Sequence, residues 1–355
     1  MIAEQEFVAL LMKIGRGLGE RAVLFPTNDH WAAAVAHQKS ELSRYFLPCV
    51  ADGEVVDLLL HKARFYRWAA AAGYPVPRSW PAEDFASIPD DVFPLVAKPD
   101  YRRISGNDGA ELGRAARFDS LRLILLKDRS ALKAFVAAQE ELLPFLLFQE
   151  YVRGMSDCMY TVGVYTARGG EVRALFTGRK IRGFPPDSGD CIVGQAEAVA
   201  DELKDIVRRL CREIAYEGIA EFEFKRDAVT GRNWLIEVNP RSWSWVGITP
   251  ACGVSLPWLA YADLTGQGPL AVAESQVETG SVKWIRLFDD LPNCLYKNRR
   301  AGFPQWHMTV PEWWRSVRAR HLVIAEFAWD DPGPALYAIY DRVGAFAGAA
   351  RRRLS

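Results

Sequence analysis

The chain has 355 residues, half of them hydrophobic and a quarter charged, an ordinary globular composition that argues against intrinsic disorder. Lysine plus arginine and aspartate plus glutamate both number 44, so the balance excludes a globally basic nucleic-acid binder and gives no electrostatic pull toward a membrane surface. No segment approaches the ~18–20 apolar residues of a membrane span. The first residues carry Glu4 and Glu6 where a secretory signal would carry positive charge. The 6 cysteines (Cys49, Cys158, Cys191, Cys211, Cys252 and Cys294) form no CxxC pair or Cys/His cluster, which fits buried thiols in a reducing, cytoplasmic setting better than zinc or disulfides. Arg351-Arg352-Arg353 reads as a solvated tail. Neither nucleic acid nor membrane is therefore expected as a partner.

In chain order, Phe7, Leu10, Leu11, Ile14 and Leu18 fall on one face of a helix predicted over 4–18. Residues 21–26 (RAVLFP) read as a short buried strand ending in a turn at TND. Residues 57–72 read as a helix stopped by Gly73, with Pro75 and Pro77 just beyond. Residues 90–155 read as a small α/β unit: PLVAKP a strand, SGNDGAELG a loop, LRLILL a second strand, SALKAFVAAQEEL a helix and FLLFQEYV a third strand. From 160 the pattern turns to β, with a hairpin about Arg168-Gly169-Gly170. An amphipathic helix over 197–216 precedes two strands, GIAEFEFKRD and NWLIEVNP, joined at AVTGR. WDDPGP is a turn, and residues 335–350 read as helical. The order is α+β, not a run of βαβ units. Neither GxGxxG after a first strand nor GxxxxGK[ST] is present, so a nucleotide would be held by some other device.

The two strands after residue 218 carry the chemistry. Alternation puts Ile219, Glu221, Glu223 and Lys225 on one face of the first, and Leu235, Glu237, Asn239 and Arg241 on one face of the second. A turn near Thr230 sets Glu223 opposite Glu237 and Glu221 opposite Asn239. Opposed carboxylates repel unless neutralised. A hard divalent cation bound by Glu223, Glu237 and Asn239 would neutralise them. Arg241 adds a planar fork for phosphate or carboxylate. A solvated sheet face, or a pair with one member protonated, also satisfies this spacing.

With these residues in view the chain resembles the ATP-grasp superfamily, and within it the carbamoyl-phosphate-synthase-like and D-aspartate-ligase-like carboxylate–amine ligases. EFEFKRD followed by LIEVNPR looks like the family's metal-binding strands. LFPTND (24–29), HKARFYRWAAAAGYPVP (61–77), FPLVAKP (93–99), FQEYVRG (148–154), FTGRKIRGFPP (176–186) and WDDPGP (329–334) follow in the family's order. The resemblance implies an α+β ATP-grasp fold, two α+β lobes clamping ATP. It divides the chain into a shortened N-terminal α/β segment over 1–80, a small lobe over 81–155, a large lobe with the metal site over 156–268, and a C-terminal extension over 269–355. Relatives of this type have several strands before the LFPTND-like segment, whereas about 20 residues precede it here, so the first strands are expected to be missing.

The same resemblance assigns roles. Lys98 and Lys62 are expected on the ATP phosphates. Gln149, Glu150, Tyr151 and Val152 are expected as the hinge, where the backbone of Glu150 and Val152 reads the adenine edge. Asp157 is expected on the ribose, and Arg179 with Lys180 facing the phosphates or an acyl phosphate. Gly106, Gly109 and Gly113 are expected in a loop over the phosphates. The implied cofactors are ATP and Mg²⁺, with Mn²⁺ as the alternative cation, and Glu237 bridges two ions flanked by Glu223 and Asn239. The implied reaction joins a small-molecule carboxylate to an amine through an acyl phosphate, with Arg241 steadying the oxyanion and ADP and phosphate released. Two alternatives stay open: other phosphoryl or carboxylate chemistry of carbamoyl-phosphate-synthase type, and a non-catalytic nucleotide-binding module. Besides the substrates, the lost sheet edge leaves two alternatives open, an exposed edge or one covered by the second subunit of a homodimer.

Overall fold

The protein is described as a computed structural model over residues 4–101, 123–187, 189–267 and 271–342. Three sheets organise these residues. β1 (Ala22–Leu24) and β2 (Phe46–Pro48) pair in parallel beside the helices α1 (Glu4–Arg16) and α2 (Asp29–His37). Asn28, in the TND turn, starts α2 by accepting the Trp31 N–H at 2.9 Å.

The helix predicted over 57–72 forms as two. His61 takes an extended conformation and separates α3 (Gly53–Leu60) from α4 (Lys62–Ala71). The cause lies far along the chain. The Asp100 carbonyl accepts the Lys62 N–H at 3.1 Å, and the Asp100 carboxylate accepts the Ala63 N–H at 2.5 Å. A new N-terminus is thereby satisfied and α4 restarts at Lys62.

β3 (Ser79–Pro81), β4 (Leu95–Pro99), β5 (Ile124–Leu126) and β6 (Leu146–Glu150) form an antiparallel sheet ordered β3-β6-β4-β5. The helix α5 (Arg129–Ala138) packs on it around a core of Leu95, Leu126, Leu132, Leu146 and Phe148. The expected glycine loop at Gly106, Gly109 and Gly113 lies outside the described residues.

The largest sheet runs β11-β10-β7-β8-β9-β13-β14, with β12 beside β8. Its strands are β7 (Met159–Ala167), β8 (Glu171–Phe184), β9 (Asp190–Ala196), β10 (Gly218–Arg226), β11 (Asn233–Asn239), β12 (Ala273–Glu274), β13 (Val282–Ile285) and β14 (His321–Ile324). Three of these strands therefore come from the segment beyond 268. One face packs on α6 (Asp201–Glu213), whose Leu203, Val207, Leu210 and Cys211 recur at helical spacing, and on the N-terminal helices. The other face carries Tyr165, Phe176, Trp243 and Trp245 beneath α7 (Leu256–Leu264). The tryptophans fit because the strands beneath them lack side chains: a Cβ at Gly163 would lie 2.3 Å from Trp243, and one at Gly194 2.5 Å from Trp245.

A buried ion pair ties the segment beyond 268 to β8. Arg182 donates to both Asp290 carboxylate oxygens at 2.8 and 2.7 Å, and the Trp313 indole donates to Asp290 at 2.6 Å. The third anchor is Ser316, whose hydroxyl accepts from Arg182 at 2.9 Å.

Candidate active site

The site is built where β10 and β11 meet the helix α4 and the small sheet. β10 and β11 pair with Glu223 opposite Glu237 and Glu221 opposite Asn239, the expected register. The ladder then shifts, because Glu223 pairs with Glu237 while Phe224 pairs with Leu235. Ile236 is the extra residue of a β-bulge. Leu235 thereby leaves the face it was predicted to share with Glu237 and enters the core with Phe222, Phe224 and Val238.

The bulge frees the Ile236 carbonyl, and Tyr66 of α4 donates its hydroxyl to it. One turn earlier on the same helix, Lys62 reaches Glu237 at 2.6 Å. The i, i+4 spacing of Lys62 and Tyr66 puts both on one face. Tyr66 also links to the small sheet, since the Lys98 ammonium donates to its hydroxyl at 2.9 Å and to Gln149 Oε1 at 2.8 Å. Gln149 is held in turn by donating to Ser79 Oγ at 2.8 Å. A continuous polar chain thus runs from β3 through β6, β4 and α4 to β11. Burial pushes the Tyr66 hydroxyl far above the ordinary phenol value, so it stays a donor.

On the large sheet, Lys180 lies 3.7 Å from Glu223 and donates to the Gly189 carbonyl at 3.3 Å. Burial alone would lower its pKa; the carboxylates around it, Glu223 first, outweigh burial and hold it above the ordinary lysine value. Arg241 is aimed by Asp29, which accepts its Nε–H at 2.5 Å, and its Nη2 donates to Asn239 Oδ1 at 3.2 Å. Asn239 Nδ2 donates to Glu221 at 3.0 Å. Glu221 accepts from Thr161 and from the Trp245 indole as well, each at 3.1 Å. Burial, then Glu223, hold its carboxyl well above the usual range.

Two expected residues stand apart. Arg179 neighbours Lys180 on β8, and alternation turns it to the opposite face, where it pairs with Glu197 at 2.8 Å and lies over Tyr160. The expected basic pair therefore does not form on one face. Asp157 is the exposed residue of a short helical turn (Ser156–Cys158), and its carbonyl, not its carboxylate, accepts from Arg179 at 3.3 Å. The hinge residues follow β6: Glu150 pairs with Arg78 at 3.2 Å, the Tyr151 N–H donates to the Pro94 carbonyl at 3.1 Å, and Val152 is buried. Sequence reasoning left Asp29, Tyr66 and Glu221 without roles. Asp29 ends the quoted LFPTND segment and Glu221 faces Asn239, so both carried a signal; Tyr66 carried one only once Lys62 was placed on a helix.

Among curated proteins, the D-aspartate ligase of Enterococcus faecium (strain Aus0004) is 20% identical over 244 residues, 62% of this chain and 53% of that protein. The chain thus spans about half the length of the curated relative it matches. No family profile matches. Among solved structures, the biotin carboxylase domain of Hydrogenobacter thermophilus 2-oxoglutarate carboxylase is similar with a TM-score of 0.57 and 16% identity, covering 78% of this chain and 60% of that one. Biotin carboxylase from Campylobacter jejuni gives a TM-score of 0.57 and 15% identity over 75% of this chain and 58% of that one. The chain has the ATP-grasp fold.

The residues above lie where the four-stranded and eight-stranded sheets approach one another. The donor set Glu223, Glu237 and Asn239 is all oxygen, which fits a hard divalent cation. Among the described residues no three His, Cys, Asp or Glu side chains already converge on one point. The ammonium of Lys62 instead holds Glu237, and the Arg241 guanidinium holds the Asn239 oxygen. Side-chain cations of the chain thus already lie against both opposed carboxylates, Lys62 on Glu237 and Lys180 beside Glu223.

Proposed function

We propose that the chain is an ATP- and Mg²⁺-dependent carboxylate–amine ligase that forms an amide through an acyl phosphate, on an amino-acid-like substrate, releasing ADP and phosphate. The observation that carries this reading is the opposed pair Glu223 and Glu237, in phase with Asn239 and Arg241, with Lys62 on Glu237, Lys180 beside Glu223 and Lys98 linked to the same strand through Tyr66. A cluster of like-charged carboxylates and buried lysines is expensive to maintain, and phosphoryl transfer is the chemistry that uses it. The D-aspartate ligase similarity supports the amino-acid-like substrate.

Mg²⁺ held by Glu223, Glu237 and Asn239 would supply charge neutralisation on the ATP phosphates. The protein does the rest by positioning. Lys62 and Lys98, held by the chain through Tyr66, place their ammonium groups toward the phosphates. Lys180 spreads positive charge over the transferring group. The Arg241 fork, aimed by Asp29, stabilises the oxyanion formed when the amine attacks. The hinge Glu150–Val152 takes the adenine edge. Division of the chain into the lobes bounded at 80, 155 and 268 belongs to this same proposal.

A coupled assay of ADP release over amino-acid pairs tests this, with hydroxylamine added to trap an acyl phosphate as a hydroxamate. ADP release should need both a carboxylate and Mg²⁺, and Glu237→Ala should lower it at least about a hundredfold, a loss typical of removing an electrostatic stabiliser. Full activity in Glu237→Ala would refute the mechanism. A second reading rests on the biotin carboxylase domains, one of them solved with MgADP and bicarbonate. Bicarbonate-dependent, amine-independent ADP release would favour it.

A further inference from the structure

Lys225 lies on β10 two residues beyond Glu223, about 7 Å further along the strand by strand geometry. It is opposite Met159 on β7 and Trp234 on β11, so these side chains share its face. Only 8% of it is exposed. Its ammonium lies 5.1 Å from the centroid of the Tyr151 ring, in the hinge. Among the described residues no acceptor takes a hydrogen bond from it and no carboxylate lies within ion-pair distance. Asp187 and Asp227 act on it only at longer range. By contrast Lys62, Lys98 and Lys180 each have a close partner. A buried ammonium without an acceptor is costly, and an acceptor atom of a bound ligand would offset that cost. Lys62 and Lys180 already serve the metal end of the platform, whereas Lys225 stands at the hinge end, walled by Tyr151, Met159 and Trp234.

We propose that Lys225 reads the nucleoside part of the bound nucleotide, donating from its ammonium to a ribose oxygen or a purine ring nitrogen beside the Tyr151 ring. This rests on the ATP-binding reading above and adds to it a specificity-determining residue.

The test is calorimetric titration of wild type, Lys225→Met and Lys225→Gln with ATP, with 2′-deoxy-ATP and with inorganic tripolyphosphate, alongside thermal unfolding. Lys225→Met should weaken ATP binding about tenfold or more, as loss of a hydrogen bond from a charged donor does. It should leave tripolyphosphate affinity within about twofold and keep or raise the melting temperature, because a buried charge with no hydrogen-bond acceptor is removed. Lys225→Gln, which keeps a donor, should fall between. If the acceptor is on the sugar, wild type should bind 2′-deoxy-ATP about as weakly as Lys225→Met binds ATP; if it is on the base, wild type should bind both alike. Wild type that binds ATP, with unchanged affinity in both variants, would overturn the proposal. So would equal weakening toward tripolyphosphate, or a lower melting temperature with unchanged affinity. Wild type that binds no ATP at all would instead overturn the nucleotide reading itself, and Lys225 with it.

Discussion

Asp227 illustrates how one carboxylate organises a turn. It closes the β10–β11 connection by accepting the N–H groups of Val229 at 3.0 Å and Thr230 at 2.8 Å, and it reaches across to the Arg153 N–H at 3.0 Å. Burial would raise its pKa, but the hydrogen bonds from Thr230, Arg153 and Val229 outweigh it and hold the group well below the ordinary carboxylate value. A depressed folded-state pKa means that the charged form contributes stability above the unfolded value, and that this is lost as pH falls through the folded value. Asp227→Asn should therefore destabilise the protein by about 1–2 kcal/mol at neutral pH. The gap to wild type should narrow below about pH 4, where the unfolded-state carboxyl begins to protonate. Urea unfolding of both proteins from pH 7 to pH 3 checks it; a gap that is constant with pH would contradict the assignment. At this scale the sequence was most informative for charged residues facing one another. Glu223, Glu237, Glu221 and Asn239 were placed correctly because strand alternation and a short turn define their register. Arg179 was expected beside Lys180 from the family resemblance alone, and strand alternation turns it to the other face, onto Glu197.

Elements reveal where local reasoning ends. The bulge at Ile236 moves Leu235 to the opposite face and offers a carbonyl to Tyr66, yet NWLIEVN reads as unbroken alternation. The break at His61 depends on Asp100, which lies beyond α4, β3 and β4, so no window around residues 57–72 contains its cause. Both features serve the site, since they aim Lys62 and Tyr66 of α4 at neighbouring residues of β11. The tryptophans after the NPR segment show the same dependence on distant partners. Trp243 and Trp245 cover the sheet only because Gly163 and Gly194 leave space, and Trp245 then donates to Glu221. Gly163→Ala should force the Trp243 ring to shift and lower stability by about 1–3 kcal/mol, the usual penalty for overpacking. Gly247→Ala, with nothing within 4 Å of the added carbon, should change it little. Thermal unfolding of the two variants compares them directly; equal melting temperatures would mean that the ring packs elsewhere.

Among the described residues, a chain of polar side chains beside the candidate reacting groups joins the small sheet to the large one. Ser79, Gln149 and Lys98 of the small sheet connect through Tyr66 to the large sheet, and Lys62 meets Glu237 beside that link. The N-terminal segment contributes Asp29 to aim Arg241, and the segment beyond 268 completes the large sheet and locks to it through Arg182 and Asp290. The ordered motifs made the ATP-grasp fold legible from the sequence, because each marks a place where backbone geometry and charge must coincide. The sheet strands supplied after residue 268 were not legible, since short strands among loops carry little periodicity. On the proposed function this charged junction is a Mg²⁺–ATP site. Calorimetric titration of wild type, Lys98→Met and Glu237→Ala with a non-hydrolysable ATP analogue, with and without Mg²⁺, tests it most directly. Wild type should bind in a Mg²⁺-linked manner, Lys98→Met should bind more weakly under both conditions, and Glu237→Ala should lose the Mg²⁺ dependence. Wild-type binding that ignores Mg²⁺, or no binding at all, would contradict the claim.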